Sequence, residues 1–245
     1  MIAWPTASWR GSSRHSGPTT FGRAAPTIDP VSTRVKICGI TSLGDAKLAA
    51  DAGAWAIGMI FADASPRRVE VEAAAEIGAA MRRRVEVVGV FVNSPLDEVV
   101  ELAELCSLSA LQLHGDEGPT YCAEAGHRTG CKVVKAARVR DRASVQALRA
   151  FRVGVDYHLL DAYADDAAGG TGRTFQWELA KARGAGPPLI LSGGITPENA
   201  AEAVVAVRPF AVDSASGTEA SPGVKDPAKV TGLIRAVQQA SLAAA

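Results

Sequence analysis

Aromatic residues make up only 5% of the 245-residue chain, and cysteine is scarcer still, limited to Cys38, Cys106, Cys122 and Cys131. With so few rings, the core has to come from Val, Ala, Leu and Ile. At 47% apolar, the chain has enough of them for a sizeable interior, which argues against disorder. The cysteines form no CxxC pair and no cluster of zinc-ligand spacing, so neither a disulfide framework nor a zinc site is expected. Reduced thiols in a cytoplasm fit that pattern. Charge of one sign is missing too: Lys plus Arg is 26 and Asp plus Glu is 26. Nothing global therefore points to nucleic acid or an acidic membrane. No run nears the roughly eighteen apolar residues of a membrane span.

Residues 1–30 are rich in Pro, Ser, Thr, Gly and Arg, with Asp29 as their sole acid, and have no apolar stretch of secretory type. An Arg- and Ser-rich, acid-poor leader resembles an organelle transit peptide, but no amphipathic face is evident. A flexible tail, or an over-extended gene start with Val31 or a neighbour as initiator, is favoured. The expected organisation is a disordered or mis-started tail over 1–32 and one catalytic domain over 33–245.

Beyond the tail, β-rich apolar runs alternate with helical patterns. The strand candidates are 34–38, 55–61, 85–92, 110–114, 132–137, 156–161, 189–192 and 210–214. Their spacing, about 20 to 30 residues, is that of a βα unit. Helix starts are marked by Ser42 with Asp45, by Ser94 with Pro95, and by Thr196 with Pro197. Eight such units predict a single-domain α/β fold, a (β/α)8 barrel with a flexible N-terminal extension. An open doubly wound sheet is the alternative, but CGITSLGD lacks the G-x-G-x-x-G spacing expected after its first strand.

In such barrels chemistry sits where strands end, so strand parity becomes informative. In RVKIC, Val35 and Ile37 should face the helices, and Lys36 and Cys38 the barrel interior. A lysine beside a thiol can raise its thiolate fraction; an inert buried cysteine is the alternative. Asp161, sharing a face with Tyr157 and Leu159, is either a carboxyl in a cavity, able to donate a proton, or a loop-capping acid. His114, in parity with Gln112, suits substrate binding, proton transfer or a structural hydrogen bond. Arg67 and Arg68 follow the second strand as an anion clamp or as solvated surface. Glycine-rich stretches follow the last three strands: GGTGRT (169–174), SGGIT (192–196) and DSASGTE (213–219). Glycines let backbone amides approach a phosphate, and the seventh and eighth loops of barrels frequently hold one.

VKICGIT (35–41), GMIF…SPRR (58–68), VGVFVN (88–93), LQLHGDE (111–117), LLD with GGTGRTF, LSGGITPENA (191–200) and RPFAVDSASGTE (208–219) together resemble phosphoribosylanthranilate isomerase. The likeness covers about residues 34 to 235. It implies an intramolecular oxidoreductase-type isomerase of tryptophan biosynthesis. Such an enzyme converts N-(5-phosphoribosyl)anthranilate to 1-(2-carboxyphenylamino)-1-deoxyribulose 5-phosphate without cofactor or metal. By that resemblance Cys38 is the general base, Asp161 the general acid and Arg67 the holder of the anthranilate carboxylate. Gly170, Thr171, Gly172, Ser192, Gly193, Gly194, Ser214, Ser216 and Gly217 would hold the phosphate, with Lys36, His114 and Asp213 also in the pocket. The implied partner is a small phosphoribosyl substrate, with the chain a cytoplasmic monomer or homodimer. Two positions depart from the family pattern: Arg68 stands where an aromatic is usual, and Gln176 where an acid precedes Trp177. Another phosphosugar barrel, including an isomerase that also serves a histidine-pathway substrate, and a non-catalytic phosphate-binding barrel are the competing readings.

Overall fold

A computed structural model of the chain describes residues 32–162 and 177–243. Residues 1–31 of the expected tail, Gly170, Thr171, Gly172 and Gln176 lie outside the described residues. Eight strands close a barrel in chain order, each parallel to its neighbours. They are β1 (Arg34–Cys38), β2 (Ala56–Ile60), β3 (Glu86–Phe91), β4 (Ala110–Leu113), β5 (Lys132–Val139), β6 (Tyr157–Ala162), β7 (Leu189–Ser192) and β8 (Ala211–Ser214). The helices are α1 (Leu43–Ala52), α2 (Val71–Met81), α3 (Leu96–Leu105), α4 (Pro119–Thr129), α5 (Arg142–Ala147), α6 (Ala200–Val207) and α7 (Pro227–Ala243). Between β6 and β7 a 3-10 helix, Trp177–Arg183, stands among the described residues in place of an expected α-helix. A short antiparallel pair, β9 (Glu219–Ser221) and β10 (Val224–Lys225), follows β8. Strands this short leave no readable alternation in a sequence.

Local signals hold at α1, where Ser42 Oγ accepts the Asp45 amide at 3.1 Å. The other two starts are displaced. Pro95 itself is the cap residue of α3. α6 begins only at Ala200, because Asn199 Oδ1 accepts the Thr196 amide at 2.9 Å and ties residues 196–199 into a turn.

Alternation along the strands sorts the chain into two cores. Val35, Ile37, Ile57, Met59, Phe91, Leu111 and Leu113 pack outward against helix residues such as Ala46, Ile77, Val99 and Val230. Ala56, Val88, Ala110, Val134, Ala136, Leu159, Ile190 and Ala211 form smaller clusters of the opposite parity, so they fill the barrel's lumen. Three of the few aromatic rings close the end of the lumen where the strands begin. Trp55 meets Phe210 at 5.1 Å and Tyr157 at 5.8 Å, and the Arg34 guanidinium lies 4.5 Å from the Phe210 ring. With that end plugged, the open face is where the strands finish.

One buried histidine braces the 3-10 segment that leads out of β6. His158 Nε2–H donates to the Phe151 carbonyl at 3.0 Å, and Nδ1 accepts from Arg183 Nη1 at 3.2 Å. Burial holds its pKa below the ordinary value, and the imidazole is neutral. The unfolded chain protonates such a ring near pH 6.5 while the native one resists. The stabilisation from His158 should therefore be complete above that pH and fade as pH falls through the lower native value. Urea midpoints of wild type and His158→Gln should converge below about pH 6; a constant gap down to pH 5 would contradict this. A second prediction concerns Gly78 in α2, where an added Cβ would lie 1.7 Å from the Cys106 carbonyl oxygen. Gly78→Ala, ordinarily favourable in a helix, should here lower stability by about 1–3 kcal/mol in denaturant titration.

Candidate active site

A cavity of about 630 Å³ opens at the strand ends, lined by residues from β1, β4, β6, β7, β8 and their loops. Cys38, Arg67, His114, Asp161, Asp213 and Ser214 all border it. So do Ser192, Gly193, Gly194, Ser216 and Gly217. Of the described residues expected at the site, Lys36 alone does not line it. It lies inside the barrel, 1% exposed, with Nζ 3.0 Å from Asp213 Oδ1.

The register of β1 on β8 makes Lys36 and Asp213 direct neighbours. Asp213 Oδ2 also accepts the Ser192 hydroxyl at 3.2 Å, tying β7 into the same pair. Burial works against the Lys36 ammonium, but Asp213 and the neighbouring thiol outweigh it and its pKa ends above the ordinary value. Cys38 fares differently. Burial pushes its thiol up, Asp213 adds to that, and the pull of Lys36 and Lys225 does not compensate. Of the two readings of this cysteine, Lys36 does pull the thiol down, but its charge is shared with Asp213 and desolvation wins. Space for the sulfur comes from Gly58, where a Cβ would sit 2.7 Å from Cys38 Sγ.

Opposite, on β6, Asp161 Oδ2 lies 3.3 Å from His114 Nε2. Gln112 Nε2 approaches His114 Nδ1 at 3.1 Å. With Gln112 donating, a neutral His114 carries its proton on Nε2, the nitrogen facing Asp161. His114 Nε2 faces the Asp161 carboxylate without a well-aligned hydrogen bond, and Gln112 Oε1 makes none among the described residues, so the Gln112 oxygen stays available to a polar ligand.

The loop after β4 is knotted by Glu117, which sequence reading did not single out. Its oxygens accept the amides of Asn93 at 2.8 Å and Gly115 at 2.9 Å, and Lys135 Nζ at 2.7 Å. Burial works to raise the Glu117 carboxyl, but these donors hold it below its ordinary value. A readable trace of the knot was Lys135, a lysine between apolar residues of β5.

Arg67 spends one edge of its guanidinium on Glu219. Nε donates to both carboxylate oxygens at 2.8 and 3.0 Å, and Nη2 to Oε2 at 2.8 Å. Glu219 was also missed, and its only trace in the sequence is the acid that ends the SGTE stretch. Arg68, the departure from the usual aromatic, is partly exposed and pairs with Asp63 at 3.1 Å and Glu70 at 3.8 Å. It adds ion pairs at the rim rather than charge inside.

At the cavity's other end Gly193 and Gly194 take φ of 88° and 65°, left-handed values that side chains resist. A Cβ on Gly217 would lie 2.0 Å from the Ile195 carbonyl oxygen, and Ser214 Oγ donates to that oxygen at 2.6 Å. The loops after β7 and β8 are thereby held against one another. The 3-10 turn Ser216–Thr218 begins there, with Ser216 and Gly217 lining the cavity. Glycine-exposed backbone at a helical start suits an anion. Among the described residues, no group of three His, Cys, Asp or Glu is placed to hold a metal ion, and no helix is long and apolar enough to cross a membrane.

The family model for N-(5'phosphoribosyl)anthranilate (PRA) isomerase matches residues 35–236. A relative of that name from Geobacter sulfurreducens is 50% identical over 202 residues, 82% of this chain and 97% of that protein. The crystal structure of phosphoribosyl anthranilate isomerase from Thermotoga maritima is similar with TM-score 0.78 and 38% identity, covering 84% of this chain and 99% of that one. A phosphoribosyl anthranilate isomerase in complex with reduced 1-(o-carboxyphenylamino)-1-deoxyribulose 5-phosphate gives TM-score 0.75 and 35% identity, over 84% and 99%.

The electrostatics around Cys38 generate a direct prediction. Its alkylation by iodoacetamide, followed peptide by peptide in a mass spectrometer, should rise through a midpoint above the ~8.5 of a free thiol. A midpoint near neutrality would show that the two lysines overcome burial.

Proposed function

The chain belongs to the N-(5'-phosphoribosyl)anthranilate isomerase family, and on that premise we propose that it carries out the Amadori rearrangement of N-(5-phosphoribosyl)anthranilate in tryptophan biosynthesis. The observation that carries this reading is one of placement. A thiol from β1 and a carboxyl from β6 border the same cavity, which the glycine-lined junction of the loops after β7 and β8 also lines.

In the proposed reaction the phosphate sits on Ser192, Gly193, Gly194, Ser214, Ser216 and Gly217; Gly170, Thr171 and Gly172, which the resemblance names with them, lie outside the described residues. Arg67 takes the anthranilate carboxylate. Anchoring both ends fixes the ribose between Cys38 and Asp161 and holds the reacting carbons in place. Asp161, oriented by His114, protonates the furanose ring oxygen, and the C1–O bond breaks to leave an iminium at C1. Cys38, as thiolate, removes the proton from C2, and the electron pair moves into the iminium to give an enolamine. Tautomerisation delivers the ketone. C1 is reduced and C2 oxidised within one molecule, which makes the enzyme an intramolecular oxidoreductase-type isomerase. The iminium also resolves the problem posed by burial. A cation arriving beside the sulfur supplies the charge that a dry site withholds from the thiolate, and the thiol's own proton leaves to solvent through the cavity that Cys38 borders before the sulfur takes the C2 proton.

The polypeptide needs nothing else for these steps: the base, the acid and both anion sites are its own side chains and amides. A cytoplasmic enzyme acting as a monomer or homodimer on a small phosphorylated substrate, with 33–245 as its catalytic domain, completes the proposal. The assay is loss of anthranilate-type fluorescence from freshly prepared substrate. Cys38→Ser and Asp161→Asn should each lower kcat by about 10²–10⁴ while phosphate-analogue affinity changes little. Near-full activity in Cys38→Ser would refute the base assignment.

A further inference from the structure

Glu219 begins β9 and is 6% exposed, yet it gathers more polar contacts than any chemistry assigned so far requires. Besides the three bonds from Arg67, its Oε1 accepts Lys225 Nζ at 3.1 Å and the Gly223 amide at 3.3 Å. Lys225 is as deeply buried, and its Nζ also donates to the carbonyl of Ala215, in the loop after β8 that borders the cavity. This cluster packs on the backbone next to the proposed base. A Cβ on Gly39 would lie 2.9 Å from Arg67 Cδ and 3.4 Å from Glu219 Oε1.

An ammonium out of water and without an anion tends to give up its proton. Burial already holds Lys225 below its ordinary value, and Glu219 is the main influence working the other way. Lys225 in turn favours a Cys38 thiolate. The charged groups that bear on Cys38 are Lys36 from β1, Asp213 from β8, Lys225 from β10 and Arg67 from the loop after β2. Those on Lys225 are Glu219, Cys38 and Arg67.

We propose that Glu219 is a positioning residue for both halves of the reaction: it fixes the Arg67 guanidinium for the substrate carboxylate and holds the Lys225 ammonium beside Cys38. The first half rests on the reading of Arg67 given above; the second does not. Glu219→Gln keeps the side chain's shape and removes its charge. In that variant the iodoacetamide midpoint of Cys38 should rise by about one pH unit, and KM should rise about tenfold. The direction separates this role from a merely structural one, because loosened packing would wet the sulfur and move the midpoint down. Glu219→Asp, which keeps the charge, should return the midpoint to the wild-type value, and Lys225→Met should reproduce the upward shift. A midpoint unmoved or lowered in Glu219→Gln overturns the link to Cys38. If that variant does not fold, the absence of an upward shift in Lys225→Met overturns it instead. An unchanged KM in Glu219→Gln, where Arg67→Ala raises KM, overturns the link to Arg67. Should Arg67→Ala itself leave KM unchanged, the carboxylate reading fails and the alkylation arm alone judges Glu219.

Discussion

The buried ion pair between Lys36 and Asp213 sits where the barrel closes on itself, joining the first strand to the last. Both groups are almost wholly out of water. Such a pair contributes little net stability, because desolvation offsets its attraction, but removing one partner costs about 3–5 kcal/mol by stranding the other. Its value lies in constraint. Lys36 fixes the level of β1 in the lumen and so the height of Cys38 two residues on. Asp213 accepts Ser192 and ties the loop after β7 to the same point. One pair thereby relates the proposed base to the proposed phosphate site, although their strands lie at opposite ends of the chain.

The same dryness that makes the pair constraining makes Cys38 reluctant to ionise. A site built only to hold a thiolate would place an uncommitted cation beside the sulfur. Here both nearby lysines already have carboxylate partners, Asp213 and Glu219. Burial thus favours the neutral thiol before any ligand arrives. In the proposed reaction it is switched on by the charge that ring opening generates. Acid before base follows from the electrostatics as well as from the chemistry.

Four carboxylates at the mouth of the barrel meet groups from other elements: Asp161 near His114, Asp213 on Lys36, Glu117 on Lys135, and Glu219 on Arg67 and Lys225. Apart from Glu219 with Lys225, which share one hairpin, these contacts join strands or loops well separated in sequence. These polar links at the mouth of the barrel leave the Gln112 Oε1 oxygen for a ligand to satisfy.

Much of this was legible in the residues. Period-2 alternation in RVKIC placed Lys36 and Cys38 in the lumen, because side chains on a strand must point to opposite faces whatever the fold. The spacing of the apolar runs predicted eight units, and glycines before helix starts marked the anion loops. Three kinds of feature were not legible. The start of α6 depended on an Asn side chain competing with the helix. The hairpin after β8 was too short to carry a pattern. The roles of Glu117 and Glu219 depended on partners far away in sequence. The sequence left the Cys38 thiol between an activated and an inert reading for a related reason: proximity to a lysine is written in the sequence, but burial and the lysine's commitment to Asp213 are not. Sequence determines what is periodic and local, since propensity and alternation act between neighbours. Which charges meet, and how dry they are when they do, is decided only when the barrel closes and brings its first and last strands together.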